Sequence, residues 1–268
     1  MKVRMYNVGF GDCFCLRDRK KSLLVDFGTN NSRIEGRPRR EIFDVIISDL
    51  STIKSKNLLL THFHMDHLSG LLYMMKKKDI SVDFGKIYLP DVFSKKEMSR
   101  TLVLLLLADL LKESGLPSRQ VSLFALVDAL LENKQNVELL SRGKLFENKY
   151  QALWPDTDVI RKETDEVYKR ICEDGKFKEV MDVLLEFAEK LRLIVWSMTA
   201  EGNKPAETVE KETDLTASEL TEQPEVRQKI IRAYVYEREF RRIKALPDFK
   251  KLLAWLNENQ INLRQFKH

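Results

Sequence analysis

The chain has 268 residues, enough for one large domain or a domain with a sizeable addition. A hydrophobic fraction of 43% excludes global disorder, and 46 Lys and Arg against 41 Asp and Glu leave a net charge of only +5. That excess accommodates an anionic substrate without itself arguing for nucleic acid. Three cysteines, an odd count, argue against a disulfide framework; Cys13 and Cys15, one residue apart on a strand, would share a buried face. The N-terminal MKVRMYNVGFGD lacks an export signal's apolar run, and the longest apolar run, Leu102 to Ala108, is far short of the ~20 residues that cross a bilayer. The expectation is a cytoplasmic protein with no membrane partner.

In chain order, Lys2–Val8 and Cys13–Arg17 read as short strands separated by a Gly9/Gly11 turn. Ser22–Phe27 is a buried strand running into Asp26 and Gly28. Glu41–Ile53 has apolar residues at Ile42, Val45, Ile46, Leu50 and Ile53, which is helical spacing. Asn57–Leu60 is another buried strand, Leu68–Lys78 a helix, and Lys86–Leu89 a strand closed by Pro90. From Ser94 to Asn136 the pattern is helical, in two segments divided by Gly115-Leu116-Pro117. Val137–Leu140 and Tyr150–Trp154 return to strand, with a turn at Arg142-Gly143. Beyond Pro155 the chain is helical and charged. Glu179–Trp196 forms one helix, Glu225–Ala245 a second with a basic face (Arg227, Lys229, Arg232, Arg238, Arg241, Arg242, Lys244), and Asp248–Asn257 a third. The acidic, Thr-rich stretch Ala200–Pro224 reads as a flexible linker.

The chemistry concentrates in Thr61-His62-Phe63-His64-Met65-Asp66-His67, which holds three of the four histidines in the chain. His62 and His64, two apart on extended backbone, would point their imidazoles the same way and grip one ion. Asp66 and His67, at the turn into the next helix, would face the same pocket and hold a second. Imidazole and carboxylate suit zinc, and with less preference manganese or iron. One or two Zn2+, with Mn2+ or Fe2+ as alternatives, are therefore the cofactors expected. Zinc lowers the pKa of its water to ~7, and two ions ~3.5–4 Å apart clamp both oxygens of an in-line displacement. Asp66 could also orient the water or take its proton.

The H-x-H-x-D-H run after a buried strand resembles the signature of the metallo-β-lactamase superfamily, whose fold is an αββα sandwich. Val8-Gly9-Phe10-Gly11-Asp12-Cys13 resembles the V-G-x-G-D turn of its competence-protein (DNA-uptake) type branch. Leu24-Val25-Asp26-Phe27-Gly28 is similar to that branch's L-[IV]-D-x-G strand, and Arg142-Gly143 through Leu153-Trp154-Pro155 to its L-W-P hairpin. The resemblance covers residues 1–156. It implies first-metal ligands at His62 and His64 and second-metal ligands at Asp66 and His67. It places Asp26 as a buried acid supporting the ligand loop and Asp12 as a turn residue near the site.

The fold class expected is thus α/β (α+β): a partial αββα sandwich over 1–156, with a helical segment at 94–136, then a helical region over 157–268 as an insertion or C-terminal addition. The family's bridging aspartate and later histidine find no counterpart. His268 is the last residue, and Asn257, Asn259 and Asn262 arrive with no strand behind them. The expectation is a chain lacking the second half of the domain and nearly inactive alone; a complete but degenerate protein is the competing explanation.

The function expected is a metal-dependent hydrolase of a phosphodiester, in nucleic acid or a nucleotide. One alternative is a small-molecule ester, lactone or thioester hydrolase. Another is a non-catalytic module that binds a protein partner through its helical region. The basic helix, with Tyr234, Tyr236 and Phe240 interleaved, could contact an anionic polymer or simply bury that stripe.

Overall fold

The computed structural model describes residues 1–18, 21–77, 83–112, 122–132, 136–173, 175–202, 242–261 and 263. The expected basic helix up to Arg241, the linker beyond Gly202, Asn262 and His268 lie outside the described residues.

Six strands form one mixed sheet. They are β1 (Lys2–Met5), β2 (Phe14–Asp18), β3 (Lys21–Val25), β6 (Ser55–Leu59), β7 (Ile87–Pro90) and β8 (Val137–Leu140), side by side in that order. The pairs β1/β2 and β2/β3 are antiparallel, whereas β3/β6, β6/β7 and β7/β8 are parallel, with Val25 opposite Leu59 and Leu59 opposite Tyr88. Two small hairpins complete the β-structure: β4 (Arg33–Ile34) with β5 (Arg37–Pro38), and β9 (Leu145–Phe146) with β10 (Tyr150–Gln151).

Alternation along the strands divides the sheet's two faces. Leu24, Leu58, Ile87 and Leu89 point into the main core. There they meet Phe43, Ile46, Ile47 and Leu50 of α1 (Arg39–Ser51) and Leu68, Leu71 and Met74 of α2 (Met65–Lys76). Leu23 and Tyr88 point the other way and pack with Leu140, Phe146 and Ala152 under the β9–β10 hairpin. Cys13 and Cys15 are both buried in the main core as free thiols, as their spacing predicts.

A helical layer continues the same core. In helix α3 (Ser99–Lys112) the run Leu102 to Ala108 is buried on every side. The helix packs against α5 (Thr157–Cys172), α6 (Lys178–Ser197) and α7 (Pro247–Glu258), while α4 (Ser122–Glu132) lies against α2 and α6. Full enclosure explains why this run has no readable helical stripe. Arg192, paired with Glu189 within α6, fastens that helix to the turn after β7. Arg192, 3% exposed, donates to Glu189 at 2.6 and 3.0 Å, and to the carbonyls of Phe93 and Ser94 at 3.1 and 3.3 Å. No helix among the described residues is long and apolar enough to cross a membrane.

Four expectations are corrected. β1 stops at Met5, because Tyr6 turns inward to bond the Cys13 carbonyl and the Asp49 carboxylate. Helix α1 begins at Arg39, and its buried face carries Phe43 and Ile47 whereas Val45 is 55% exposed. The strand placed at Tyr150–Trp154 is only Tyr150–Gln151, paired with β9, and Leu153 and Trp154 are exposed. The strand before the histidines ends at Leu59, not Leu60, and His62 and Phe63 form a bend, so that only His64 of the expected pair is on extended backbone before α2.

Candidate metal centre

The site lies where the parallel strands β3 and β6 end side by side. After Val25 the chain passes through Asp26 in a left-handed conformation, φ 55°, rare for a residue with a side chain. Asp26 N–H donates to the Leu59 carbonyl at 2.8 Å, tying the two strand ends together. Its carboxylate, 3% exposed, accepts from Thr61 N–H at 2.8 Å and Thr61 Oγ1 at 2.7 Å, and stands 3.0 Å from His67 Nδ1. A carboxylate only accepts, so the geometry assigns a proton to His67 Nδ1, and in the neutral ring the lone pair is then on Nε2.

The first turn of α2 is clamped by the loop after β3. Phe27 N–H donates to the His67 carbonyl at 2.7 Å, and Phe27's carbonyl accepts from Gly70 and Leu71 at 2.8 and 3.1 Å. Thr29 and Ser69 exchange two bonds of 2.9 Å, from Thr29 N–H to Ser69 Oγ and from Ser69 Oγ to the Thr29 carbonyl. Asp12 N–H reaches the Asp66 carbonyl at 3.3 Å. Three backbone segments meet here with no room for a side chain. A Cβ on Gly11 would stand 2.2 Å from the Gly28 carbonyl oxygen, and one on Gly28 would stand 2.6 Å from Leu68 N.

This corner brings the histidines together. The His62 and His64 rings lie 4.9 Å apart edge to face, and the His62 and His67 rings 3.6 Å apart, centroid to centroid. Thr61 Oγ1 is 3.0 Å from His62 Nδ1. Asp66 occupies the first turn of α2, where the helix dipole favours its charge, and its Oδ2 is 3.9 Å from His67 Nε2. Asp12 Oδ2 is 3.7 Å from His67 Nδ1. His67 is held above the ordinary histidine value. Burial pulls it down, but the hydrogen bond and charge of Asp26, with the charges of Asp66 and Asp12, outweigh that.

Two donor sets share His67. On its Nδ1 side, Asp12, Asp26 and His67 each offer one ligand atom, all within 4.8 Å of one another. On its Nε2 side stands Asp66, while the His62 ring lies against the His67 ring and next to that of His64. Both oxygens of Asp26 already accept protein hydrogen bonds, so a cation on the Nδ1 side would share that carboxylate with Thr61 and compete with the proton on Nδ1. Imidazoles crowded beside carboxylates fit a divalent cation, which relieves the approach of so many electron-rich groups. Thr61 was not singled out from sequence, although a hydroxyl just before the histidine run is the visible signal.

The mixed sheet with this corner at its strand ends carries an additional helical region. Residues 6–91 match the Metallo-beta-lactamase superfamily. Among curated proteins, the endoribonuclease YSH1 of Mycosarcoma maydis is 32% identical over 77 residues, a match covering 29% of this chain and 8% of that protein. That relative is an endoribonuclease, not a competence protein. No solved structure matches the chain.

Proposed function

We propose that this chain is a metal-dependent hydrolase acting on the phosphodiester of a nucleic acid. The observation that carries the reading is the convergence of the His62, His64 and His67 rings with Asp66 at the strand-to-helix corner. The partial match to an endoribonuclease directs the choice of substrate.

In this reading His62 and His64 hold one ion, while Asp66 and His67 Nε2 hold another. Zinc there would supply a Lewis acid and make water a nucleophile near neutral pH. Asp26 fixes the ring of His67 and keeps its proton on Nδ1, a task on which metal affinity depends. Asp66, 28% exposed, is placed to take a proton from the attacking water. Asp12 closes the turn against α2 and adds negative charge beside His67.

The test compares the chain with His64→Ala at matched zinc or manganese content, on single-stranded RNA and on bis(p-nitrophenyl) phosphate. Turnover is expected to be weak, since the sequence offers no counterpart to the family's later ligands, and to disappear in His64→Ala. A fully metal-loaded chain that cleaves neither substrate would overturn the hydrolase reading and favour a binding module.

A further inference from the structure

Beside the metal corner, the first helix and the Gly9–Gly11 turn present features that neither the fold nor the hydrolytic chemistry uses. Phe10 is 80% exposed, the most exposed large apolar side chain among the described residues. An aromatic ring so placed contributes nothing to the core. Its backbone is nevertheless held firmly. Phe10 N–H donates to Asn31 Oδ1 at 3.1 Å, and its carbonyl accepts from Asn30 N–H at 2.9 Å and Thr29 Oγ1 at 3.1 Å. The ring therefore stands on a rigid turn two residues from Asp12.

Asn31 leads directly to Ser32, which opens a cleft of about 290 Å3 lined also by Arg39, Arg40, Ser69 and Tyr73. Ser69, on α2, is bonded to Thr29, whose hydroxyl holds the Phe10 carbonyl, so the cleft connects with the turn that carries Phe10 and Asp12. Its charge is unbalanced. Asp44 nearby is matched by Lys77 at 2.5 Å, and Glu41 faces Arg37 at 3.8 Å. Arg39 and Arg40 are exposed and, among the described residues, form no ion pair. α1 also starts here without a side-chain cap, and its positive end adds to the field. Two unmatched guanidiniums in a cleft that opens next to the Asn31 anchor of Phe10, with that exposed aromatic ring on a fixed backbone, are the pairing that single-stranded nucleic acids use: phosphates on arginine, a base on the ring.

We propose that Phe10, Arg39 and Arg40 form a track for a single strand of nucleic acid leading to the metal corner, with Phe10 stacking an unpaired base and the two arginines holding backbone phosphates. The choice of a nucleic acid strand rests on the phosphodiesterase reading. A duplex would not fit, because its bases are already stacked and cannot seat on Phe10.

The test is fluorescence anisotropy of a labelled oligouridine with the 268-residue chain in EDTA, across a salt series, so that binding is read without catalysis. Phe10→Ala is expected to weaken binding about 10-fold with an unchanged salt slope, and Phe10→Trp to restore it. Arg39→Ala/Arg40→Ala is expected to lower the slope of log K against log salt by about 1.4, at ~0.7 for each phosphate no longer neutralised. Because all three side chains are exposed, circular dichroism should show unchanged folding. Wild type that fails to bind the oligonucleotide at low salt, or variants that bind like wild type, would overturn the track. So would a mononucleotide competing as well as the polymer, or a duplex binding as tightly. If the variants behave as expected yet His64 proves irrelevant to cleavage, the hydrolase reading falls and the track stands. If cleavage depends on His64 but binding ignores Phe10 and both arginines, the track alone falls.

Discussion

Asp26→Asn is the substitution that probes the site with least change of shape. The carboxylate accepts three hydrogen bonds, two from Thr61 and one from His67 Nδ1. An asparagine with its carbonyl toward Thr61 N–H must point its amide N–H2 at His67 Nδ1. That nitrogen must then accept, and the ring proton moves to Nε2, where it blocks the metal-facing lone pair. The opposite amide orientation sets two donors, Thr61 N–H and the amide, against each other and costs about 1–3 kcal/mol. Either way, zinc affinity should fall about 10- to 100-fold, roughly 1.4–2.8 kcal/mol. The assay is calorimetric zinc titration at pH 7.5, with 15N NMR of the imidazoles to report which nitrogen bears the proton. A folded Asp26→Asn chain that binds zinc within twofold of wild type and keeps its proton on Nδ1 would refute the reasoning. An ion held instead by Asp12, Asp26 and His67 Nδ1 would make Asp12→Asn as damaging as Asp26→Asn.

Two further predictions concern what holds the corner and the helical layer. Gly28→Ala places a methyl 2.6 Å from Leu68 N and 2.7 Å from the Asp66 carbonyl, backbone that cannot yield, so it should cost at least about 1–3 kcal/mol and reduce zinc affinity together. Thermal melts with and without zinc check it; an unchanged melt would contradict the close packing. For Glu189, burial alone would raise its pKa, but hydrogen bonds from Arg192 and Ser99, with the charges of Arg192 and Lys96, hold it below the ordinary glutamate value. Its contribution to stability is therefore full above the unfolded value of 4.5 and lost as pH falls through the lower folded value. Glu189→Gln should destabilise the protein by about 3 kcal/mol at neutral pH and flatten the acid limb of a stability profile; an acid limb identical to wild type would contradict this.

Much of the site was legible because its spacing is local. Three histidines and Asp66 within six residues, after an apolar strand, implied one pocket, and the structure sets the His62 ring within 4.9 Å of each of the other two. The continuous apolar runs at Ser22–Phe27 and Asn57–Leu60 likewise announced buried strands, though not that Leu23 and Leu59 would face a second, smaller cluster. Harder to see were features made by contact between distant segments. The bonds from Thr61 to Asp26 span 35 residues, and the Thr29–Ser69 exchange spans 40. Two-residue strands such as Arg33–Ile34 and Leu145–Phe146 are too short for any period to register. The first turn of α1, Arg39-Arg40-Glu41, is polar, so apolar spacing detected the helix only from its second turn. Phe10 looked like one letter in a turn motif; only its 80% exposure on a rigid backbone marks it out.

The proposition that most needs a direct answer is that this corner takes up a divalent cation through the imidazoles of His62, His64 and His67. Titration with cobalt(II), followed by its visible absorption, reads the number and type of ligands without requiring turnover. At least one equivalent should bind with a spectrum of nitrogen and oxygen ligands, and His62→Ala and His64→Ala should each remove or shift it. A folded wild-type chain that gives no absorption beyond free cobalt, or whose spectrum is indifferent to both substitutions, would contradict the account.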